Sequence, residues 1–252
     1  MPRTLLYLVF LTLLSTSALA QGLAGAKNLD NAVLFSAGYG PFLSAGELND
    51  RFGNGFAIDG GIAYMPRNSA WQIGARVTYG FGSEVKEDVL ADLRTADGFV
   101  IGNQREPADV QLRQRQVFIG PSVAYTFRIG TNQRSGVNLR SSFGVFAHRI
   151  RIQNDPVQGV EPLFEDYRAG YDRLTAGPAW YQFIGYQTLA ENRRINFYLG
   201  GDFLVASTTA QRSFDIPTGA APSQDSRLDI TFGARIGLII PIYFGEGREI
   251  FY

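Results

Sequence analysis

Between Arg227 and Ile242 the chain alternates between apolar residues and residues that are polar, small or charged. The apolar residues are Leu228, Ile230, Phe232, Ala234, Ile236, Leu238, Ile240 and Ile242, and the alternate positions are Arg227, Asp229, Thr231, Gly233, Arg235 and Gly237. Because successive side chains of a β-strand point to opposite faces, this run predicts a strand with one apolar and one polar face. It is about twice as long as an ordinary soluble strand and long enough to cross a bilayer at a tilt.

Similar runs recur along the chain and predict eight strands in all. They lie at about 32–43, 55–65, 70–82, 115–128, 136–150, 173–188, 194–207 and 226–243. In the sixth run Gln182 falls among the apolar positions, and this predicts a β-bulge or a shift of register there.

Short and long connections alternate between these strands. The short ones are 66–69, 129–135 and 189–193, and the long ones are about 44–54, 83–114, 151–172 and 208–225. Transmembrane barrels show this pattern, with short periplasmic turns and long external loops. The sequence therefore predicts an all-β fold: an eight-stranded antiparallel up-and-down transmembrane β-barrel with both termini in the periplasm.

A secreted barrel of the lipocalin kind is the alternative, since it also has eight strands. Its apolar residues would point inward and its polar residues would face water. Here the polar face carries arginine and aspartate, and eight strands leave room inside only for side chains or one small ligand. An apolar ligand cavity does not fit such an interior, so the pattern favours the transmembrane barrel.

The N-terminus is typical of a secretory signal peptide. Arg3 supplies a positive charge, Leu5 to Leu14 is almost entirely apolar, and Ala18-Leu19-Ala20 is a small-x-small cleavage site. The alternative, a retained anchor, is disfavoured because the apolar stretch is too short for a membrane-spanning helix. We therefore expect a signal peptide at 1–20 and one barrel domain at 21–252, with no peptidoglycan-binding module after the last strand.

The composition limits which partners, metals and reactions the protein can use. The 23 basic and 23 acidic residues balance, which argues against nucleic acid as a partner. There is no cysteine, hence no disulfide and no thiolate site. The one histidine, His148, lies on the same strand face as Ser142 but about 20 Å from it. Since no catalytic or metal-binding motif is present, we expect no enzyme activity, no catalytic residues, no metal and no cofactor.

The polar faces of the predicted strands carry six charged residues that point into the barrel. They are Asp59, Arg76, Arg140, Asp202, Asp229 and Arg235. An unpaired buried charge costs several kcal/mol, so three residues of each sign predict a paired network that plugs the lumen. A gate that conducts when the pairs exchange partners is the alternative.

The long loops contain ordered segments. Val85, Val89, Leu90 and Leu93 have helical spacing in the longest loop, which predicts a short helix beginning near Ser83 and then a turn and short strand over 96–102. This loop is either a lid packed on its own barrel or a surface for a partner. In the third long loop, the tyrosines and arginines of 167–175 either brace the rim or bind a sugar or protein, and we favour bracing.

The mature chain resembles the small eight-stranded outer-membrane barrels of the OmpA/OmpX type in its signal peptide, alternating segments, loop asymmetry and terminal aromatic residue. The segments 170–175, 194–198 and 241–243, with Phe251-Tyr252 at the end, also look like those of uncharacterised outer-membrane barrels of Bacteroidota. The resemblance implies a Gram-negative outer-membrane location and the fold. It brings no activity and no site residues.

Three functions remain open at this point. The first is a structural or accessory component of the envelope, in contact with outer-membrane lipid and with another envelope protein through the external loops. The second is a narrow channel for ions or small solutes. The third is a lipid-modifying enzyme, for which the sequence offers only His148.

Overall fold

The computed structural model describes residues 29–130, 132, 134–154, 159–190 and 196–244. The predicted signal peptide at 1–20 and the terminal Phe251-Tyr252 lie outside these residues, as do Arg194 and Ile195.

Eight long strands form one closed antiparallel ring in chain order. They are β1 (Asn31–Gly46), β2 (Gly55–Met65), β3 (Trp71–Gly82), β6 (Val110–Arg128), β7 (Gly136–Asn154), β8 (Thr175–Leu189), β9 (Asn196–Ala210) and β10 (Arg227–Phe244). Each strand pairs with the next along the chain, and β10 pairs with β1 to close the ring. The predicted eight-stranded up-and-down barrel is confirmed.

The alternation of side chains produces an apolar outside and a polar inside. On β10, Arg235 points inward and is 3% exposed, whereas the next residue, Ile236, is 59% exposed on the outer face. Every barrel strand repeats this arrangement on its outward face, where Phe, Leu, Ile, Val, Trp and Tyr dominate. Water disfavours such a surface and hydrocarbon accepts it.

The predicted irregularity at Gln182 does not occur. The pairings of β8 with β7 and with β9 keep one register across this position, with Gln182 opposite Ser141 on one side and Phe203 on the other. Ser141 donates a hydrogen bond from its hydroxyl to the Gln182 side-chain oxygen. Because this bond satisfies the amide oxygen, a polar side chain is tolerated on the outer face without a bulge.

The end of the barrel with the long loops is covered by loop segments. They include α1 (Leu48–Arg51), a 3-10 turn at Ala91–Leu93, a hairpin of β4 (Val100–Ile101) with β5 (Pro107–Ala108), a 3-10 turn at Glu161–Leu163, and α2 (Glu165–Arg168). No helix of the described residues is long and apolar enough to span a membrane.

The longest loop contains the predicted short helix, but only as the 3-10 turn at Ala91–Leu93. Its start differs from the expectation, because Val85 forms an isolated antiparallel bridge with Phe52. Val89 and Leu90 are buried nevertheless. The apolar spacing therefore identified which side chains pack inward, while the backbone reaches that packing mostly without helical turns. The predicted turn and short strand that follow are confirmed by β4.

A small apolar cluster holds these loops to the mouth of the barrel. Its loop members are Leu48, Phe52, Val89, Leu90, Val100, Val160, Leu163 and Tyr171, and they pack with Ile150 and Ile152 at the end of β7. Since the cluster draws on three different loops, they form one lid.

Candidate functional site

The centre of the barrel is occupied by an Asp59-based charge cluster. Asp59 on β2 is 1% exposed, and its Oδ2 accepts a hydrogen bond of 2.5 Å from Nη2 of Arg76 on β3. The same oxygen accepts a bond of 2.7 Å from the hydroxyl of Tyr198 on β9. The Nε atom of Arg235 lies 3.8 Å from the other carboxylate oxygen. One carboxylate thus links β2 to three other strands across the lumen.

Arg235 connects this carboxylate to a second one. Its Nη2 atom lies 3.2 Å from Oδ2 of Asp202 on the neighbouring strand β9. Its Nη1 atom donates to the backbone carbonyls of Gly40 at 3.1 Å and Pro41 at 3.0 Å. An arginine suits this position because its planar guanidinium offers five donors in several directions.

Arg140 is the third cation of the cluster and has a different environment. Its Nη2 atom donates to Oε1 of Gln72 at 3.5 Å, and its guanidinium lies 5.9 Å from the ring centres of Phe183 and Tyr198. Arg76 similarly lies 4.9 Å from the ring centre of Tyr181. Within the described part of the chain, the cluster has three arginines but only two carboxylates, Asp59 and Asp202, so one positive charge has no carboxylate partner. Aromatic faces attract cations, and the rings stabilise this remaining charge.

The structure separates Asp229 from the other five predicted residues. Asp229 lies on β10 six residues from Arg235, about 20 Å nearer the long loops. Its Oδ2 atom is 2.8 Å from Nε2 of His148 and accepts a bond of 2.5 Å from the hydroxyl of Thr208. Arg227 lies 3.9 Å from its other oxygen.

His148 therefore has a carboxylate partner that the sequence did not reveal. The partner is 81 residues away on β10, which lies three strands from β7 in the ring, so the two side chains meet across the interior. The hydroxyl of Thr208 bonds the carboxylate rather than the imidazole. In a nucleophile–base–acid group the imidazole must contact the hydroxyl, so this arrangement does not activate Thr208.

Tyr198, Tyr181 and Gln72 are the central residues that sequence reasoning did not include in the network. All three fall on the inward faces of predicted strands, so their direction was available from the alternation. Their role was not available, because uncharged residues on an inward face give no sign of which charge they contact. A cavity of about 20 Å³ lies beside Arg76 and Arg140.

Above the lumen, a second set of ion pairs joins the loops. Glu87 accepts hydrogen bonds of 2.7 Å from Arg51 and 2.7 Å from Arg173, and Arg173 also pairs with Asp215. Burial raises the pKa of Glu87, but the guanidinium groups of Arg51 and Arg173 outweigh burial and hold the pKa below its ordinary value. These residues line an open pocket of about 500 Å³.

The third long loop takes part in the same bracing. Arg212 donates to both carboxylate oxygens of Asp172, and the backbone nitrogen of Ile150 donates to the Asp172 carbonyl at 2.7 Å. Tyr171 is 4% exposed, whereas Tyr167 is 65% exposed. Most of this segment is thus engaged within the protein, as the bracing interpretation predicted. Across the described part of the chain, no three His, Cys, Asp or Glu residues are grouped to hold a metal ion.

A closed ring of eight antiparallel strands that is apolar outside and charged inside defines the class of this protein as a transmembrane β-barrel. No protein-family model matches the chain, and no curated protein sequence matches it either.

Several solved structures are similar to the barrel. The attachment invasion locus protein Ail of Yersinia pestis, in complex with the heparin analogue sucrose octasulfate, is 11% identical with a TM-score of 0.43, over 83% of this chain and 99% of that chain. The N-terminal β-barrel domain of Pseudomonas aeruginosa OprF is 11% identical with a TM-score of 0.34, over 83% and 98%. Ail in a phospholipid bilayer nanodisc is 16% identical with a TM-score of 0.31, over 82% and 98%.

Proposed function

We propose that the protein is an outer-membrane β-barrel of a Gram-negative bacterium with a closed, salt-bridged lumen, and that it is a structural or accessory component of the envelope. The observation that carries the closed lumen is the Asp59-based cluster, which joins β2, β3, β9 and β10 across the interior. Export by a signal peptide at 1–20 and the resemblance to Bacteroidota barrels are parts of this proposal.

The height of the apolar band supports insertion in a membrane. On β6 the outward residues from Val117 to Phe127 are apolar or aromatic. Ten residue steps at about 3.3 Å make about 33 Å along the strand. At the usual barrel tilt of about 40° this corresponds to about 25 Å along the membrane normal, the height of a typical outer-membrane band.

Aromatic pairs at both ends of the band agree with this placement. Near the short turns, Tyr125 packs against Trp71 at 4.9 Å and Phe127 at 4.8 Å between ring centres. Near the long loops, Tyr39 stacks on Phe56 at 5.4 Å. Aromatic side chains concentrate where hydrocarbon meets headgroups.

A structural role is supported by what the buried charges do. Each arginine of the central cluster contacts two or more strands, so the cluster holds the ring together from inside. Catalysis by His148 is not part of the proposal, because the imidazole is buried between Asp229, Phe52 and Phe146.

Planar-bilayer recording tests the closed lumen. The purified wild-type barrel should give a flat baseline without steady unit steps. Steady steps whose size changes in Arg235→Gln and stays unchanged in Asp97→Asn, an exposed loop variant, would overturn the proposal in favour of a narrow channel. Arg235 is the informative position because it lies at the centre of the cluster.

An accessory role is supported by apolar side chains left exposed on the long loops. They are Phe99, Ile101, Phe164, Tyr167 and Phe214. We propose that they contact another envelope protein. A photoreactive residue placed at Tyr167 in cells should form one discrete protein adduct, and the same label at Arg67, which is exposed in a short turn at the other end of the barrel, should not. If neither position forms a protein adduct, the protein is not an accessory subunit, and the structural role stands alone.

A further inference from the structure

Four arginines form a patch on the outer surface where β6 and β7 rise above the apolar band. Arg115 lies directly opposite Arg149, and Arg113 directly opposite Arg151. All four are on the outward face, because the alternate positions Gln114, Gln116, His148 and Ile150 are buried. Like charges placed directly opposite on paired strands repel one another, so the bare patch is electrostatically unfavourable.

The described residues around this patch compensate little of its charge. Among the described residues, one ion pair involves the patch: Arg149 lies 3.9 Å from Asp172, which also pairs with Arg212. Arg115 donates to the Gln114 carbonyl at 2.6 Å, and Arg113 donates to Gln111 at 2.5 Å. These neutral acceptors orient two guanidinium groups without neutralising them.

The patch lies at one defined height and on one side of the barrel. Val117 and Ala147, one outward position closer to the short turns, belong to the apolar band. At the comparable height β3 carries Phe81 and β9 carries Ser207. The arginines therefore begin where hydrocarbon ends and headgroups begin, and among the described strands only β6 and β7 carry such pairs.

Two clefts give the patch a concave shape. One of about 260 Å³ is lined by Arg115, Arg149 and Arg151 together with Tyr79 and Val117. Another of about 320 Å³ lies on the other side of Arg149 and Arg151 and continues toward Arg168 and Arg212. The first cleft thus combines guanidinium donors with apolar walls, as a lipid headgroup and the start of its acyl chains require.

We propose that this patch binds the phosphomonoester headgroup of an anionic lipid, an inference that rests on the proposed membrane placement. Guanidinium groups bind phosphate through paired hydrogen bonds and keep their charge at all accessible pH values. A phosphate between Arg115 and Arg149 replaces a repulsion by two attractions. The adjoining apolar wall makes the occupant a lipid, since a free anion would leave that wall exposed.

Native mass spectrometry of the full chain in detergent micelles tests the proposal with phosphatidic acid as the probe. Wild-type protein should retain phosphatidic acid in preference to phosphatidylcholine. The double variant Arg115→Gln/Arg149→Gln should bind phosphatidic acid about twenty-five-fold more weakly, since each arginine near a membrane surface contributes about a factor of five. The charge-matched control Arg105→Asn/Arg128→Gln, two exposed arginines away from the patch, should bind as wild type does.

Three results would overturn the proposal. The first is equal retention of phosphatidic acid by the wild type and the patch variant. The second is equal retention of phosphatidylcholine, which would indicate contact with the apolar band alone. The third is displacement by an equal concentration of glycerol phosphate, which would indicate a site for a free anion. Any of these results, obtained with folded protein, would overturn only the lipid-binding proposal. The closed lumen of the barrel is tested separately by the bilayer recording.

Discussion

Tyr198 and Asp59 meet across the barrel interior, joined by a hydrogen bond of 2.7 Å although 139 residues separate them in the chain. The Asp59 oxygen that accepts this bond also accepts the 2.5 Å bond from Arg76. A charged and a neutral donor thus converge on one carboxylate oxygen. This convergence explains how a buried charge can be tolerated at the centre of a narrow barrel.

Replacement of Asp59 by Asn should destabilise the barrel strongly. The variant keeps the size of the side chain but leaves Arg76 and Arg235 without their shared carboxylate. Loss of one partner from a buried pair costs about 3–5 kcal/mol. Urea unfolding in lipid vesicles, followed by gel mobility, should show this loss in the free energy of unfolding.

Asp202→Asn and Asp97→Asn are the matched comparisons. Asp202 has Arg235 as its ion-pair partner at 3.2 Å, so its loss should be smaller than that of Asp59. Asp97 is exposed in a loop, and its variant should unfold as wild type does. Equal effects of all three variants would contradict the central position of Asp59.

Gly237→Ala should displace Tyr198. A Cβ atom at Gly237 would overlap Cε1 and Cζ of the Tyr198 ring. Gly38, opposite Gly237 on β1, lies against the same ring, and a Cβ there would overlap it too. The ring must then move away from Asp59 and lose its hydrogen bond. We expect the variant to lose about 1–3 kcal/mol of unfolding free energy, as overpacked interiors do.

Two further variants separate this overlap from a general effect of alanine. At Gly60 a Cβ would meet nothing closer than 3.7 Å, so Gly60→Ala should unfold almost as wild type does. Combining Gly237→Ala with Tyr198→Leu removes the overlapping ring atoms. The double variant should therefore lose less stability than the sum of the two single variants, and strict additivity would count against the contact.

The lid should loosen in acid because Glu87 holds Arg51 and Arg173 together. Burial alone would raise the pKa of Glu87, but the two arginines lower it. The pKa in the folded protein therefore lies below the ordinary value of 4.5. A lowered carboxyl pKa contributes stability that is present above pH 4.5 and is lost as the pH falls through the folded pKa. Hydrogen exchange in 83–94 should therefore accelerate as the pH falls below about 4.5, after correction for intrinsic exchange.

Glu87→Gln provides the control for this pH dependence. The amide cannot ionise, so the loop should already exchange faster at pH 7 and should change less between pH 5 and pH 3. If the variant retains the acid response of the wild type, another group controls the lid. Asp88→Asn is a useful second variant, because Asp88 pairs with Arg94 within the same loop.

Much of the barrel followed from the period of two in the sequence. That period predicted eight strands and placed Asp59, Arg76 and Arg235 on the inward face, where they are found. It underestimated the length of β6, which begins at Val110, and the length of β7, which ends at Asn154. Above the apolar band their outward residues are arginines and glutamines, so the apolar alternation ends while the backbone pairing continues.

Which charges pair could not be predicted in the same way. Alternation sets the direction of a side chain, whereas its height relative to other strands depends on the stagger that accumulates around the ring. That stagger brings Asp229 to His148 and leaves Arg140 against Gln72 and two aromatic rings. The backbone conformation of the longest loop could not be predicted either, because irregular packing can bury Val89 and Leu90 as well as a helix can.

Spin-label accessibility along β10 tests the central claim, that the apolar face of the barrel contacts hydrocarbon. The chain has no cysteine, so single cysteines can be placed from Leu228 to Ile242 and labelled without background. In phospholipid vesicles, labels at Ile236, Leu238 and Ile240 should be accessible to oxygen and shielded from a water-soluble nickel complex. Labels at Thr231 and Ile239, whose native side chains are buried on the inward face, should be poorly accessible to oxygen, which gives a period of two. A uniform profile, or one in which the inward positions contact lipid, would contradict the account.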